Sequence, residues 1–265
     1  MSTIFAKPRN ITSLENCAFY HTIDIPGFGT QHGMWDLRSN VAKYLGQVDL
    51  AGKRVLELGT ANGYLCFHME QQGADVIAFD IAPDQVSDIV PYARADTKQR
   101  ANDMQPWLEQ IRNAFWLAHN RANSTAKVVY GNVYNVPEEI GLVDVSTFGA
   151  ILLHLRDPFH ALYNALRLTR ETVIITEPIW PWQWFNFVRY LLPSKQFGGY
   201  MIFLPDAKAC NPPTTWWYLS PMAVRRFISV LGFEESKVSY HFQKHPESGR
   251  KTLCFTVVGK RTVPL

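Results

Sequence analysis

Two acidic residues and a pair of glycines mark the part of this chain that is best suited to chemistry. An apolar segment leads to Glu57 and is followed by a turn that contains Gly59 and Gly63. A second apolar segment leads to Asp80, roughly 20 residues beyond the first acid. Glycine lets the backbone approach a ligand, and a carboxylate offers acceptors to the two hydroxyls of a ribose. The pattern predicts a pocket for an adenosine-bearing ligand at the carboxyl ends of parallel strands.

The spacing of the glycines separates this turn from the dinucleotide fingerprint, which requires glycine at its first, third and sixth positions. Here Ala61 stands between Gly59 and Gly63. The carboxylate of Glu57 would repel a pyrophosphate, whereas it would stabilise a cationic amino group. We therefore expect a ligand with an ammonium or sulfonium charge, and S-adenosyl-L-methionine meets this description. The alternative is an ordinary strand–turn–helix unit whose helix begins at a glycine.

The segments around Glu57 and Asp80 resemble the first two motifs of class I S-adenosylmethionine-dependent methyltransferases. The resemblance implies an α/β fold with a Rossmann-like seven-stranded sheet that ends in an antiparallel edge. The sequence pattern itself shows strands alternating with helices, which predicts a parallel sheet. We expect strands at residues 54–58, 75–79, 127–130, 148–153 and 172–176, then a hairpin of 237–242 and 252–258. We expect helices at residues 41–45, 64–72, 101–120, 158–168 and 222–231.

Three segments lie outside this minimal sheet and are expected to form helical and aromatic caps over the strand ends. We expect an N-terminal cap at residues 1–50 and a methyltransferase domain at 51–265, with insertions at 92–126 and 178–217. The cap contains the run 19–29, which predicts either a lid over the cofactor or a surface hairpin with a Pro-Gly turn. His21, in this run, is a candidate substrate-binding residue.

The turn after the first strand is expected to hold the methionine end of the cofactor. Gly59, Thr60 and Gly63 would line its methionine and ribose edge. Glu57 would hold the amino group, either directly or through water. Leu153, near the end of the fourth strand, would face the region of the sulfur.

The next two strand ends are expected to hold the nucleoside. Asp80 would accept hydrogen bonds from the ribose hydroxyls, and Ile81 would lie beside the adenine. Asn132 and Val133 would meet the adenine amino group and ring. The alternative for Asn132 is a turn residue that follows a glycine.

The reaction needs few protein groups, because the sulfonium of S-adenosylmethionine is already a reactive methyl donor. An oxygen acceptor needs a proton removed, and a neutral histidine suits that task near pH 7. His154 is the first candidate, and its alternative is a histidine that hydrogen-bonds the backbone. His160 is a weaker candidate on the following helix. Glu177 is either a polar group aimed at the same crevice or a capping acid.

Two aromatic segments, residues 179–192 and 216–218, are the sequence features that suggest what the acceptor is. The candidate substrate-binding residues there are Trp180, Trp184, Trp217 and Tyr218. Aromatic rings would suit a flat, lipid-like or cationic acceptor. The alternatives are a homodimer interface, a contact with a membrane surface, or a helical lid packed on the sheet. Our expectation is a small-molecule acceptor with an aromatic or apolar body, methylated on oxygen or nitrogen.

Three further segments, residues 148–158, 217–221 and 35–38, resemble the tRNA wobble-uridine carboxymethyl transferase family. That family uses a carboxylated S-adenosylmethionine, gripped by a tyrosine and a lysine. This chain has Leu153 and Met34 at those positions, and neither side chain offers a hydrogen-bond donor. We therefore expect the unmodified cofactor. A tRNA-modifying (carboxy)methyltransferase and a non-catalytic cofactor-binding or interaction protein remain as alternatives.

Composition limits the class of protein. The chain has 265 residues, 47% of them hydrophobic, and a net charge of +3, which suits one large α/β domain and argues against a nucleic-acid partner. A basic tail at residues 236–265 is the exception, and it predicts either a solvated face or a phosphate contact. No transmembrane run of about 18 apolar residues and no cysteine pair with metal-ligand spacing is present in the sequence. Residues 1–9 lack the apolar core of a signal peptide, so none is expected. We expect a cytoplasmic protein with reduced thiols and no metal.

Overall fold

Strands and helices alternate along most of the chain, as the sequence pattern predicts. The computed structural model describes residues 4–179 and 199–265. Its strands are β1 (Ile23–Ile25), β2 (Gly29–Gln31), β3 (Arg54–Leu58), β4 (Asp75–Ile81), β5 (Lys127–Gly131), β6 (Val143–Gly149), β7 (Thr169–Pro178), β8 (Met201–Phe203), β9 (Trp217–Leu219), β10 (Glu235–Lys244) and β11 (Lys251–Lys260). Its α-helices are α1 (Val41–Tyr44), α2 (Tyr64–Gln71), α3 (Thr97–Ala122), α4 (Pro158–Leu166) and α5 (Pro221–Val230).

Seven strands form one mixed sheet in the order β10-β11-β7-β6-β3-β4-β5. Strands β3 to β7 pair in parallel, and β11 and β10 add an antiparallel edge. This confirms the predicted Rossmann-like sheet. The strand order reverses between β3 and β6, so a crevice opens there at the carboxyl ends of the parallel strands.

Both faces of the sheet are covered, because successive side chains of a strand point to opposite faces. Leu56 and Leu58 of β3 belong to the apolar cluster that includes Leu162 of α4 and Val224 of α5. Val55, which precedes Leu56 in β3, belongs to the cluster formed with α2 and the second half of α3. Helices therefore pack on both faces of the sheet and hold the strand ends in place.

The fourth parallel strand ends earlier than the sequence predicts. The apolar run predicts a strand at residues 148–153, whereas β6 ends at Gly149. Ala150 follows with a φ of +55°, which takes the chain out of the extended conformation. Leu152–His154 then form a 3₁₀ turn. Leu152 and Leu153 are buried in the core, which explains why the apolar run continues beyond the strand.

The N-terminal run 19–29 forms a hairpin and also reaches the crevice. Ile25 pairs with Gly29 across the Pro-Gly turn, as one of the two predictions requires. Just before β1, the backbone of His21 bridges to that of Trp35. The assignment of residues 1–50 as a separate cap stays a prediction.

The aromatic segment 179–192 and the helices bear on the predictions of an interface and of a membrane contact. The residues Trp180 and Trp184 lie outside the part of the chain that the structure describes. Within the described ranges, every helix is too short or too polar to span a lipid bilayer.

A chain of buried hydrogen bonds joins the antiparallel edge to β7. The amide of Gln243 donates to Nδ1 of His241 at 2.9 Å, and Nε2 of His241 pairs with the Thr256 hydroxyl at 2.9 Å. Thr256 pairs in turn with the Thr176 hydroxyl at 2.7 Å, and Thr176 donates to the carbonyl oxygen of Tyr44 at 2.7 Å. This arrangement needs a neutral His241, and burial lowers the pKa of His241 to about 4.

We expect acid to destabilise the fold through His241. Unfolding returns its pKa to about 6.5, so between pH 6.5 and pH 4 the unfolded chain binds a proton that the folded chain does not. The free energy of unfolding should therefore fall as the pH drops through this window, and less steeply in His241→Gln. Urea denaturation at pH 4.5 and pH 7 measures this, with His32→Gln at an exposed position as control. An equal fall in all three proteins would place the acid sensitivity elsewhere.

Candidate active site

A cavity of about 760 Å³ opens at the carboxyl ends of the parallel strands. Its size falls within the range of roughly 300–1,000 Å³ that is usual for small-molecule sites. The strand ends contribute part of its wall, with Gly59, Ala61, Phe79, Asp80, Ile81, Gly131, Asn132, Val133, Gly149, Ala150, Ile151 and His154. The predicted site residues among these are brought together as the sheet topology requires.

Two glycines of the turn after β3 have different tasks. Gly59 has a φ of +81°, and a Cβ there would lie 2.5 Å from Cγ2 of Ile151, on the cavity wall. Gly63 precedes α2 with a φ of +83°, and a Cβ there would lie 2.5 Å from the ring of Phe67. Gly63 is not on the cavity wall, so its role is to let α2 begin in a tight core. This differs from the predicted contact with the cofactor.

Asp80 is held at the crevice by backbone hydrogen bonds to both carboxylate oxygens. Oδ2 accepts from the Ala61 N–H and Oδ1 from the Ile81 N–H, each at 2.7 Å. A carboxylate has about four acceptor positions, so two remain for a ligand. Burial raises the pKa of Asp80, and the two N–H groups and the Arg112 guanidinium oppose that rise. The geometry suits a pair of ribose hydroxyls.

Glu57 lies behind the cavity wall. It is 2% exposed, and its Oε2 accepts from the Thr60 hydroxyl at 2.6 Å. Burial raises the pKa of Glu57 to about 8, although the Thr60 hydroxyl lowers it. Neither Glu57 nor Thr60 is on the cavity wall, since both side chains are turned into the protein. The predicted grip on an amino group, directly or through water, stays a prediction.

The cavity wall at the ends of β4 and β5, where the nucleoside is expected, is apolar apart from one polar turn. Phe79, Ile81 and Val133 line it. Asn132 also lines it, while its Oδ1 accepts from the Tyr134 N–H at 2.9 Å. Asn132 therefore stabilises a turn, as the alternative prediction has it, and still borders the cavity.

His154 ends the 3₁₀ turn after β6 and lines the cavity. Its Nδ1 lies 2.9 Å from the carbonyl oxygen of Thr214. A carbonyl only accepts hydrogen bonds, so Nδ1 carries the proton and Nε2 keeps a free lone pair. Burial lowers the pKa of His154, and the bond to Thr214 opposes this. The imidazole is therefore neutral at pH 7, as a general base requires.

Glu177 holds the start of the 3₁₀ turn Leu152–His154 through a hydrogen bond. It is 1% exposed at the end of β7, and its Oε1 accepts from the Leu152 N–H at 2.9 Å. Burial raises the pKa of Glu177 to about 8. Leu153 packs in the core, and its carbonyl accepts from the Trp216 N–H at 2.9 Å. The structure thus favours a capping role for Glu177, and it places the Leu153 side chain away from the predicted contact with the cofactor sulfur.

Asn62 connects the turn after β3 to the N-terminal segment, and sequence reasoning missed it. Asn62 is fully buried, its Oδ1 accepts from the N–H groups of Tyr20 and His21 at 3.1 and 2.7 Å, and its Nδ2 donates to the His21 carbonyl at 3.0 Å. Tyr20 and His21 consequently line the cavity. Burial lowers the pKa of His21 to about 4. The signal for Asn62 is a polar residue inside a glycine-rich turn.

The middle of α3 supplies an apolar wall that the sequence indicates only in part. Met104, Trp107, Leu108 and Ile111 line the cavity, at the spacing that defines one face of a helix. Trp107 and Ile111 stand out in the sequence as part of a helical pattern, but nothing there assigns them to a pocket.

Three predicted candidates lie away from the cavity. Trp217 donates from Nε1 to the Arg156 carbonyl at 3.2 Å, and Tyr218 is 2% exposed within β9. Neither is on the cavity wall, because β9 turns both side chains into neighbouring packing. His160 lies exposed on α4, with its ring stacked on that of Tyr134. Their predicted roles are thus not supported by their positions.

Comparison with known families agrees with this geometry. A family model described as "Methyltransferase domain" matches residues 32–197, more than half of the chain. The chain therefore belongs to this methyltransferase family, and it is an S-adenosylmethionine-dependent class I methyltransferase. No curated protein matches the chain in sequence. The tRNA wobble-uridine branch stays a prediction.

Solved structures share the fold. The N-terminal domain of EvdMO1, solved in the presence of SAH and D-fucose, has a TM-score of 0.50 at 14% identity and covers 93% of this chain and 93% of that chain. The structure of EvdMO1 has a TM-score of 0.53 at 15% identity, and the match covers 93% of this chain and 45% of that chain. At this identity the likeness concerns the fold alone.

The residues present fit S-adenosylmethionine. Gly59 lets the backbone border the cavity where a Cβ would collide with Ile151, Asp80 keeps two acceptor positions, and the wall beside Ile81 and Val133 is apolar. When bound, the cofactor supplies an activated methyl group on its sulfonium. Asp80 would hold the ribose, and the segment that carries Tyr20 and His21 would help to exclude water.

We expect Asp80→Ala to weaken the binding of S-adenosylhomocysteine at least roughly tenfold, because hydrogen bonds to a charged group contribute about 1.5–3 kcal/mol. Asp80→Asn keeps one oxygen and should lie between Asp80→Ala and the wild type. Calorimetric titration measures this, with Asp75→Asn at the opposite, exposed end of β4 as control. An unchanged affinity in Asp80→Ala would mean that the ribose does not lie against this carboxylate.

If Glu57 holds the amino group, we expect the affinity for S-adenosylhomocysteine to rise with pH. An ammonium favours the ionised carboxylate, but the raised pKa, about 8, keeps Glu57 mostly protonated below that pH. Binding then releases a proton, and affinity should rise up to about tenfold per pH unit between pH 6 and 8. Calorimetry at three pH values should find this slope in the wild type and not in Glu57→Gln. Equal slopes would remove Glu57 from this role.

Proposed function

We propose that this enzyme transfers the methyl group to a hydroxyl oxygen of a small acceptor with an apolar, aromatic body, with His154 as the general base. The observation that carries the proposal is the hydrogen bond from His154 Nδ1 to the Thr214 carbonyl at 2.9 Å. It leaves the lone pair of Nε2 available on a side chain of the cavity wall.

The protonation state of His154 supports oxygen as the acceptor atom. A hydroxyl must lose its proton as it attacks the methyl carbon, and an imidazole takes up such a proton near neutral pH. Burial lowers the pKa of His154, so the base is already free at pH 7. Its position is held from two sides, by Thr214 at the ring and by Glu177 at the start of the turn.

The rest of the wall supports an apolar body. Trp107, Met104 and Leu108 border the cavity from α3, and Met34 and Val86 border it from loops. Trp107, Met34 and Val86 are 37%, 53% and 43% exposed, so covering them with an acceptor would remove apolar surface from water.

The side chains of Met34 and Leu153 offer no hydrogen-bond donor, which supports the unmodified cofactor and hence transfer of a plain methyl group. Met34 offers no charge to a carboxylated cofactor although it borders the cavity, and Leu153 is buried in the core. A carboxylate would thus meet neither of the partners that the resembling tRNA-modifying family provides.

We expect His154→Ala and His154→Gln to lower kcat by roughly 10²–10⁴ with the affinity for S-adenosylhomocysteine retained, because the base is lost and the cofactor wall is kept. The wild-type rate should rise with pH to a plateau, and the midpoint of the rise should lie below pH 6.5. The base must be unprotonated, and its pKa is lowered from 6.5. Formation of S-adenosylhomocysteine with a panel of small phenols measures both.

His160→Gln serves as the matched control, because His160 lies exposed on α4 and away from the cavity. Full activity of His154→Gln on every phenol that the wild type methylates would contradict the role of His154. A panel in which amines react and phenols do not would contradict the choice of oxygen.

A further inference from the structure

The loop after β4 brings a second carboxylate, Asp88, to the cavity wall. Its backbone is anchored, since the Asp88 carbonyl accepts from Trp216 Nε1 at 2.7 Å. The neighbouring Val90 N–H donates to the Pro213 carbonyl at 2.8 Å. The loop is thereby joined to the segment that also holds the His154 ring.

One oxygen of Asp88 is fully used. Oδ2 accepts from the Tyr134 hydroxyl and, at 2.7 Å, from the Arg156 N–H. The Tyr134 hydroxyl accepts in turn from the Asp157 N–H at 3.1 Å. Burial raises the pKa of Tyr134, so this phenol keeps the proton that it donates. The carboxylate is therefore fixed in orientation.

The other oxygen is available. Within residues 4–179 and 199–265, Oδ1 of Asp88 receives no hydrogen bond, and Asp88 forms no ion pair within 4.0 Å. A carboxylate on a largely apolar wall is stabilised when a ligand or water donates to it. The exposed guanidinium of Arg156 also borders the cavity, where solvent and salt screen its charge.

Asp88 lies on the acceptor side of the cavity. It is bonded to the N–H of Arg156, two residues beyond His154, and two residues of extended chain span about 7 Å. The ribose carboxylate, Asp80, belongs instead to the end of β4 and is held by the turn after β3. An acceptor that touches both His154 and Asp88 is therefore small.

We propose that Asp88 selects acceptors that carry a hydrogen-bond donor, a protonated amine or a hydroxyl, at the end away from the methylated oxygen. The inference rests on the proposed function, because it takes the acceptor to lie against His154. A protonated amine is the stronger partner, since hydrogen bonds between two charged groups are the stronger ones. The aromatic face of Trp107 would favour the same cation.

The test measures binding separately from turnover. Calorimetry on the protein saturated with S-adenosylhomocysteine compares three probes: tyramine, 4-(2-hydroxyethyl)phenol and 4-ethylphenol. We expect the two probes with a donor to bind roughly tenfold to hundredfold more tightly than 4-ethylphenol, with tyramine the tightest. Equal binding of all three, or no detectable binding of tyramine, would overturn the inference.

Asp88→Asn is the informative variant, because its amide oxygen can still accept from Tyr134 and Arg156 while an N–H₂ replaces the free oxygen. It should lose the preference for the probes with a donor and keep its affinity for S-adenosylhomocysteine. Asp84→Asn, an exposed acid of the same loop outside the cavity wall, should behave as the wild type. A preference that survives in Asp88→Asn would overturn the assignment.

Methyl transfer to the same probes separates the two proposals. If tyramine binds through Asp88 and no probe is methylated on its phenol, the proposed oxygen chemistry fails and the role of Asp88 stands. If 4-ethylphenol is methylated as efficiently as tyramine and binds as tightly, the oxygen chemistry stands and the role of Asp88 fails.

Discussion

The site depends first on the carboxylate of Asp80, which joins two neighbouring strand ends. Its hydrogen bonds to the N–H groups of Ala61 and Ile81 fix the turn after β3 against the end of β4. Ala61 has a φ of +49°, a conformation that costs energy for a residue with a Cβ and that such a bond helps to hold. Because the turn is fixed, the adjacent Asn62 can hold the segment with Tyr20 and His21. One carboxylate thus orders both the turn after β3 and the N-terminal segment that borders the cavity.

The part of the cavity wall that carries His154 is also fixed by hydrogen bonds at a strand end, that of β6. The left-handed Ala150 ends the strand, and the short turn that follows exposes His154 at the crevice. Glu177 holds the beginning of the turn, and Thr214 holds the ring. A buried carboxyl and a backbone carbonyl therefore position one imidazole without adding a charge to the cavity. The neighbouring loops then place Asp88 close to it through the N–H of Arg156.

Much of the fold was predictable because buried parallel strands leave a strong local pattern. The bounds of β3 were predicted to the residue, and the α/β alternation and the antiparallel edge were also correct. The end of β6 was not, since the apolar residues Leu152 and Leu153 look the same in a strand and in a buried turn. Trp217 and Tyr218 were assigned to the acceptor because aromatic clusters suit both binding and packing, and here they pack.

The sequence by itself determined the cofactor class and the crevice, since Gly59 and Asp80 carry their meaning in local spacing. It also singled out His154, because the end of a parallel strand must lie at that crevice. Only the tertiary structure decided which atoms of the cavity-wall residues are already engaged in hydrogen bonds. The free nitrogen of His154 depends on Thr214, sixty residues away in the chain, and the free oxygen of Asp88 depends on Tyr134 and Arg156. Such partners are set by the packing of distant loops, which leaves no periodic signal in a single sequence.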